Sequence, residues 1–196
     1  DCRGCELGDR DVIWMAVGSV GSERHDDIGS NPPHVPNDAL DGGAFGIVIP
    51  HVDTAEEARV IADRLRYPPV GHRSIGGLMP QLGFPTMAPG ESTKLVNDNL
   101  IIVVMLETPT AIKNADAIAA VPGIDALTIG PTDLAQDLGV LGTPAQRPTL
   151  TEYRQRLAAA ARKHGKALAM LTDSVDGVRE MVALGASIMN FSSDAA

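Results

Sequence analysis

From residue 46 onward, short β-branched runs alternate with capped amphipathic stretches five times over. That alternation restricts the chain to folds built on a parallel sheet with helical crossovers. The strands are read at residues 46–50, 100–106, 125–130, 167–171 and 187–191. The second of these is apolar throughout, as expected when both faces of a parallel sheet are covered. Thr54 followed three residues later by Glu57 is a capping box opening a helix over 55–66. Thr108 caps the next helix and Pro109 opens it, Thr149 with Glu152 repeats the box before a helix reaching about His164, and Gly165 stops that helix. Ser174 caps a last helix through Leu184, which Gly185 ends.

The upstream part is read differently. Residues 9–17 carry a helical apolar pattern with Trp14, and residues 19–37 are polar and rich in Gly and Pro, with His34, Val35 and Pro36 as the possible end of a sixth strand. Residues 71–90 read as a long ordered loop or lid. Five or six βα units are too few for a complete eight-stranded barrel, which takes about 250 residues. The 196 residues are therefore read as one domain, 1–196, a barrel missing its beginning. The alternative is an open doubly wound sheet, but no GxGxxG or GxxxxGK[ST] follows any strand.

Charge and composition exclude several functions. With 16 Lys and Arg against 25 Asp and Glu, the net charge of -9 repels a phosphate backbone, so nucleic acid is not expected as a partner. No apolar run approaches the roughly 20 residues that span a bilayer and no signal-type segment opens the chain, so the expectation is a soluble, cytoplasmic protein with no membrane partner. Cys2 and Cys5 form a lone CxxC without a second pair for zinc and are read as ordinary thiols in a reducing compartment. The chain opens at Asp1 rather than methionine, which suggests a trimmed or incompletely represented product.

In a parallel barrel, side chains just past the carboxyl ends of the strands converge on one mouth. Glu107 and Asp133 stand there on neighbouring strands. Two oxygen ligands without clustered Cys or His suit a hard octahedral cation, Mg²⁺ or Mn²⁺, with positions left open for substrate. Both acids would equally serve as helix N-terminal residues favoured by the macrodipole, and the pattern alone leaves the two readings open.

Residues 40–50 (LDGGAFGIVIP), 67–73 (YPPVGHR), 106–108 (LET) and 129–134 (IGPTDL) together resemble the HpcH/HpaI aldolases. These are metal-dependent barrel enzymes that make or break carbon–carbon bonds through a pyruvate enolate. The resemblance implies a TIM (β/α)8 barrel of the phosphoenolpyruvate/pyruvate type, incomplete here at its N-terminal part. It implies Glu107 and Asp133 as ligands of Mg²⁺ or Mn²⁺, and Gly130, Pro131, Thr132 and Asp133 as the substrate-binding turn, whose backbone N–H groups around Thr132 and Asp133 hold a carboxylate. A small 2-oxo acid, pyruvate or oxaloacetate, is the implied substrate, and a homo-oligomer, often a hexamer, the implied assembly. Residues 49–52 (IPHV) are most similar to a branch of the family that decarboxylates oxaloacetate and adds the enolate to a pyrone. His51 would then line the mouth and donate a hydrogen bond to the second substrate, or simply close a strand end. Arg73 would aid an acidic substrate or fix its own loop by hydrogen bonds.

Some family positions differ. Aligned on residues 8–11, the expected acid, proton-transfer histidine and glycine fall at Arg3, Gly4 and Cys5; an expected arginine falls at His34, and an expected glutamine at Met105. Either segments of a longer chain are absent from this sequence, or the protein is altered, catalytically weakened or a non-catalytic metal-binding barrel subunit. His25 or His34 would be the candidates to replace the missing base. Decarboxylation generates an enolate without a general base, whereas enolising pyruvate requires one, so the missing histidine favours oxaloacetate.

Overall fold

The Thr54 hydroxyl accepts the Glu57 N–H at 3.2 Å, and the Glu57 carboxylate accepts the Thr54 N–H at 2.9 Å. This reciprocal cap starts helix α1 (Ala55–Leu65), which lies between the strands at Gly46–Ile49 and Ile101–Leu106. The computed structural model describes residues 15–17, 39–76, 79–83 and 86–191. Within them, β1 (Met15–Val17), β2 (Gly46–Ile49), β3 (Ile101–Leu106), β4 (Ala126–Ile129), β5 (Ala167–Thr172) and β6 (Ile188–Phe191) lie side by side in sequence order. Every neighbouring pair is parallel. The remaining helices are α2 (Pro89–Asn99), α3 (Pro109–Lys113), α4 (Ala115–Ala119), α5 (Pro131–Asp137), α6 (Gln146–Lys163) and α7 (Val175–Leu184).

The two faces of the sheet bury different things. Ile47, Ile49, Ile102, Val104, Leu106, Leu127, Ile129, Leu168 and Met170 point to one side and pack with Ala58, Ala62, Leu65, Ile118 and Leu157 of the helices. The alternate residues, Val48, Val103, Ala126 and Ala169 with Ile101, Met105, Ala167 and Ile188, form a second cluster made only of strand residues. Among the described residues, helices therefore cover a single face, and small or medium side chains fill the other, as in a sheet curled toward a barrel interior. Together with the unreversed strand order, this describes a half-barrel rather than a doubly wound sheet, which would carry helices on both faces.

All five strands read from the sequence are present within a residue or two at each end. Three features differ. Met15–Val17, read as part of a helix, pairs with Gly46, Ile47 and Val48 as a strand; three apolar residues cannot reveal a period, and the edge of β2 supplies the backbone partners. The supposed capping box at Thr149 lies inside α6, which begins at Gln146. Pro148 falls in its first turn, where a missing N–H costs nothing, so the helix starts earlier than the Thr149 signal suggests. The 71–90 loop is shorter than read, because it contains a 3₁₀ turn at Pro80–Leu82 and ends where α2 begins at Pro89. Tyr67, Met79 and Val96 form a small core of their own beneath it. His25, His34, Trp14, Cys2 and Cys5 lie outside the described residues. Among the described residues, no helix is long and apolar enough to cross a membrane.

Candidate active site

Strand periodicity decides where Glu107 goes. Val103 and Met105 belong to the concave cluster, so position 107, two residues further along, faces the same interior at the carboxyl end of β3. The register sets Leu106 beside Ile129, which brings Glu107 against Gly130, the residue that leads into α5. A Cβ on Gly130 would lie 2.6 Å from Glu107 Cγ and 2.7 Å from Cδ. Gly130 has φ -88 and ψ 96, a conformation open to most residues, so glycine is required here by space rather than by backbone freedom.

Asp133 sits in the first turn of α5, where Pro131 opens the helix and the first intrahelical bond runs from Leu134 N–H to Gly130 C=O at 3.0 Å. Its carboxyl group is near enough to Glu107 to act on that group's pKa. Glu107 is 4% exposed. Burial pushes its pKa up, the nearby His51 pulls it down, and the Asp133 and Asp53 charges push it up again. A cation beside these two acids would relieve the burial and like-charge repulsion that raise the Glu107 pKa.

His51 reaches the pair from the end of β2. Its Nδ1 is 3.3 Å from Glu107 Oε2, while its side chain stays 56% exposed. His51 has φ 58, the one positive φ among the described non-glycine residues. The left-handed conformation costs a residue with a Cβ about 1–2 kcal/mol. Strain of this kind persists where surrounding contacts over-determine it, and here it places the imidazole against the carboxylate.

Arg73 lies at the other end of the sheet. Its guanidinium bonds Asp41, 2.5 Å away, and stands 4.8 Å from the Tyr67 ring centroid. Asp41 precedes β2, and the neighbouring Arg66 bonds Asp125, which precedes β4. The contacts of Arg73 are thus those of the loop-fixing reading, and none of them joins the carboxylate pair. Its buried Nη1 has no partner among the described residues.

The pair can be tested against the cation the sequence suggests. Among the described residues no group of three or more His, Cys, Asp or Glu side chains gathers, so the protein would supply two oxygen ligands. Mg²⁺ is commonly held in this way, by one or two carboxylates with water and substrate oxygens completing the octahedron. The paired acids fit such an ion, and Gly130 leaves room for the Glu107 side chain itself.

Met105, where a polar residue was expected, belongs to the concave cluster two residues before Glu107 and adds no hydrogen-bonding group to the mouth. Sequence reasoning missed Asp53. It is buried, and its carboxylate accepts the Thr108 hydroxyl at 2.5 Å. The signal lay in its place two residues after His51, opposite a Thr that follows a candidate ligand.

Residues 28–196 match the HpcH/HpaI aldolase/citrate lyase family. The chain is 40% identical over 133 residues to the 4-hydroxy-4-methyl-2-oxoglutarate aldolase of Chaetomium globosum, covering 67% of this chain and 49% of that protein. It is 33% identical over 180 residues to the 5-keto-4-deoxy-D-glucarate aldolase of Klebsiella pneumoniae, covering 92% and 69%. The crystal structure of macrophomate synthase superposes with a TM-score of 0.70 at 32% identity, over 80% of this chain and 56% of the other. The chain spans about half the length of the first of these curated relatives.

Proposed function

The chain belongs to the HpcH/HpaI aldolase/citrate lyase family, and from that premise we propose that it is a divalent-metal-dependent carbon–carbon lyase acting on a small 2-oxo acid. The observation that carries this reading is the buried Glu107 carboxyl at the end of β3, packed against Gly130 one turn before Asp133, at the mouth of a half-barrel. In the same reading the half-barrel is part of an eight-stranded barrel. Self-association as a homo-oligomer, a hexamer in the family pattern, is supported by exposed Leu171, Val175, Val182 and Phe191.

Glu107 and Asp133 hold Mg²⁺ or Mn²⁺, which when bound polarises the 2-oxo group and stabilises the negative charge that develops there. Gly130 leaves room for the Glu107 side chain in this position. Backbone N–H groups at Thr132 and Asp133, in the first turn of α5, take the substrate carboxylate. His51 keeps Nδ1 on Glu107 and offers its other ring nitrogen to the reacting end of the substrate. The histidine that serves relatives as the base falls at Gly4 in this sequence. Oxaloacetate, which loses CO₂ without one, is therefore the favoured starting substrate. Addition of the resulting nucleophile to a pyrone is the second reading, favoured by His51 in the 49–52 segment and by the likeness to macrophomate synthase.

Proton NMR in D₂O with Mg²⁺ tests the substrate assignment. Consumption of oxaloacetate above the free-metal rate, without exchange of the methyl protons of added pyruvate, is the expected result. Rapid pyruvate exchange with no oxaloacetate consumption would overturn it.

A further inference from the structure

Asp53 makes three separate ties around the candidate site. Its carboxylate accepts the Thr108 hydroxyl at 2.5 Å. Its carbonyl accepts the Asn114 side-chain amide at 2.8 Å. Its N–H donates to the Glu57 carboxylate at 2.7 Å, the group that also caps α1. Thr108 directly follows Glu107 and accepts the Ala111 N–H at 2.9 Å as the cap of α3. Asn114 is the residue between α3 and α4. The loop that carries strained His51 is thus tied, two residues later, to the segment that carries Glu107. A further bond joins the same loop to the end of β3, from Val52 N–H to Met105 C=O at 3.2 Å.

We propose that Asp53 is a positioning residue: by holding the Thr108 hydroxyl it fixes the Glu107 carboxylate and the His51 imidazole in the geometry that binds the divalent ion. Asp53 aims the site through this hydrogen bond, in addition to the charge it places near Glu107. Carboxylate ligands are aimed by the groups that fix their surroundings, and losing such a group commonly weakens metal binding 10–100-fold. The inference rests on the metal reading of Glu107 and Asp133.

The test is Mn²⁺ binding to the purified chain without substrate, followed by loss of the free-ion electron paramagnetic resonance signal, with thermal melting recorded alongside. Asp53→Ala is expected to weaken Mn²⁺ binding by about tenfold, and Asp53→Asn, whose amide carbonyl still accepts the Thr108 hydroxyl, to stay within about threefold of wild type. Thr108→Val reproduces the loss, carries the test if Asp53→Ala does not fold, and is not worsened by adding Asp53→Ala. Unchanged Mn²⁺ affinity with only a lowered melting temperature in Asp53→Ala and Thr108→Val would mean a merely structural role and would overturn the proposal. Asp53→Asn as weak as Asp53→Ala would also overturn it, in favour of a charge effect. Wild-type protein that binds no Mn²⁺, or binds it equally well as Glu107→Ala, would instead remove the metal reading beneath it.

Discussion

Replacing Gly130 by alanine separates the space needed at the site from every other property of that turn. Alanine adopts φ -88, ψ 96 without strain, so the whole cost comes from the new Cβ. That atom would lie 2.6, 2.7 and 2.9 Å from Glu107 Cγ, Cδ and Oε1. Glu107 is buried at the end of a central strand and cannot swing into solvent. Overpacking of this kind costs about 1–3 kcal/mol, which for a chain of this size lowers the melting temperature by about 2–4 °C per kcal/mol. Displacing the carboxylate by about an ångström lowers turnover by about 10²-fold. In a Glu107→Ala background all three clashing atoms are gone, so Gly130→Ala then costs less than about 0.5 kcal/mol. Thermal melts of the four proteins, with and without excess Mg²⁺, read both effects. Saturating Mg²⁺ at about 100 times its Kd stabilises wild type by about 2.7 kcal/mol, and this increment disappears in Gly130→Ala. The reasoning fails if Gly130→Ala costs the same in both backgrounds, or if it keeps the full Mg²⁺ increment.

Three further outcomes follow from the same geometry. Because the Glu107 pKa is raised in the folded state, chiefly by burial, its stabilising share in metal-free protein is fully present below the unfolded carboxyl pKa and lost as pH rises through the folded one. Chelated wild type should therefore lose melting temperature relative to Glu107→Gln as pH is raised from acid to neutral, a difference that a pH series of melts measures. His51→Gly should melt higher than His51→Ala by the equivalent of about 1 kcal/mol, since only alanine retains the left-handed strain, while both lose activity alike. Arg73→Ala, which gives up the Asp41 contact and the Tyr67 stack, should cost about 2 kcal/mol in denaturant unfolding and leave the kcat of the folded protein unchanged.

The strand series and most helix caps were legible because they depend on local chemistry. Thr54 with Glu57, Thr108 with Pro109, Ser174 and Gly185 act within four residues of themselves and appear as read. Positions decided by distant partners were not. Met15–Val17 becomes a strand only because β2 lies beside it. Helix α2 carries few apolar residues, and Ser92 and Thr93 are among those it buries, so its sequence shows little amphipathic pattern. At the site, Glu107 and Asp133 could be singled out by their place after strands, but their mutual contact depends on the β3–β4 register and on Gly130. The bond between Asp53 and Thr108 spans 55 residues and leaves no local signature. Arg73 was open to an acidic substrate or to its own loop, and its contacts with Asp41 and the Tyr67 ring are made across 32 and 6 residues, which the local pattern does not show.

The central claim is that Glu107 and Asp133 hold a divalent ion that carries the lyase chemistry. Its most direct measurement is the rate of oxaloacetate decarboxylation with Mg²⁺, with and without chelator, in wild type and in folded Glu107→Ala, after subtraction of the free-metal rate. Activity that disappears with chelator and with Glu107→Ala is the expected result. A folded wild-type protein no faster than free metal, or a Glu107→Ala variant as fast as wild type, would contradict the claim.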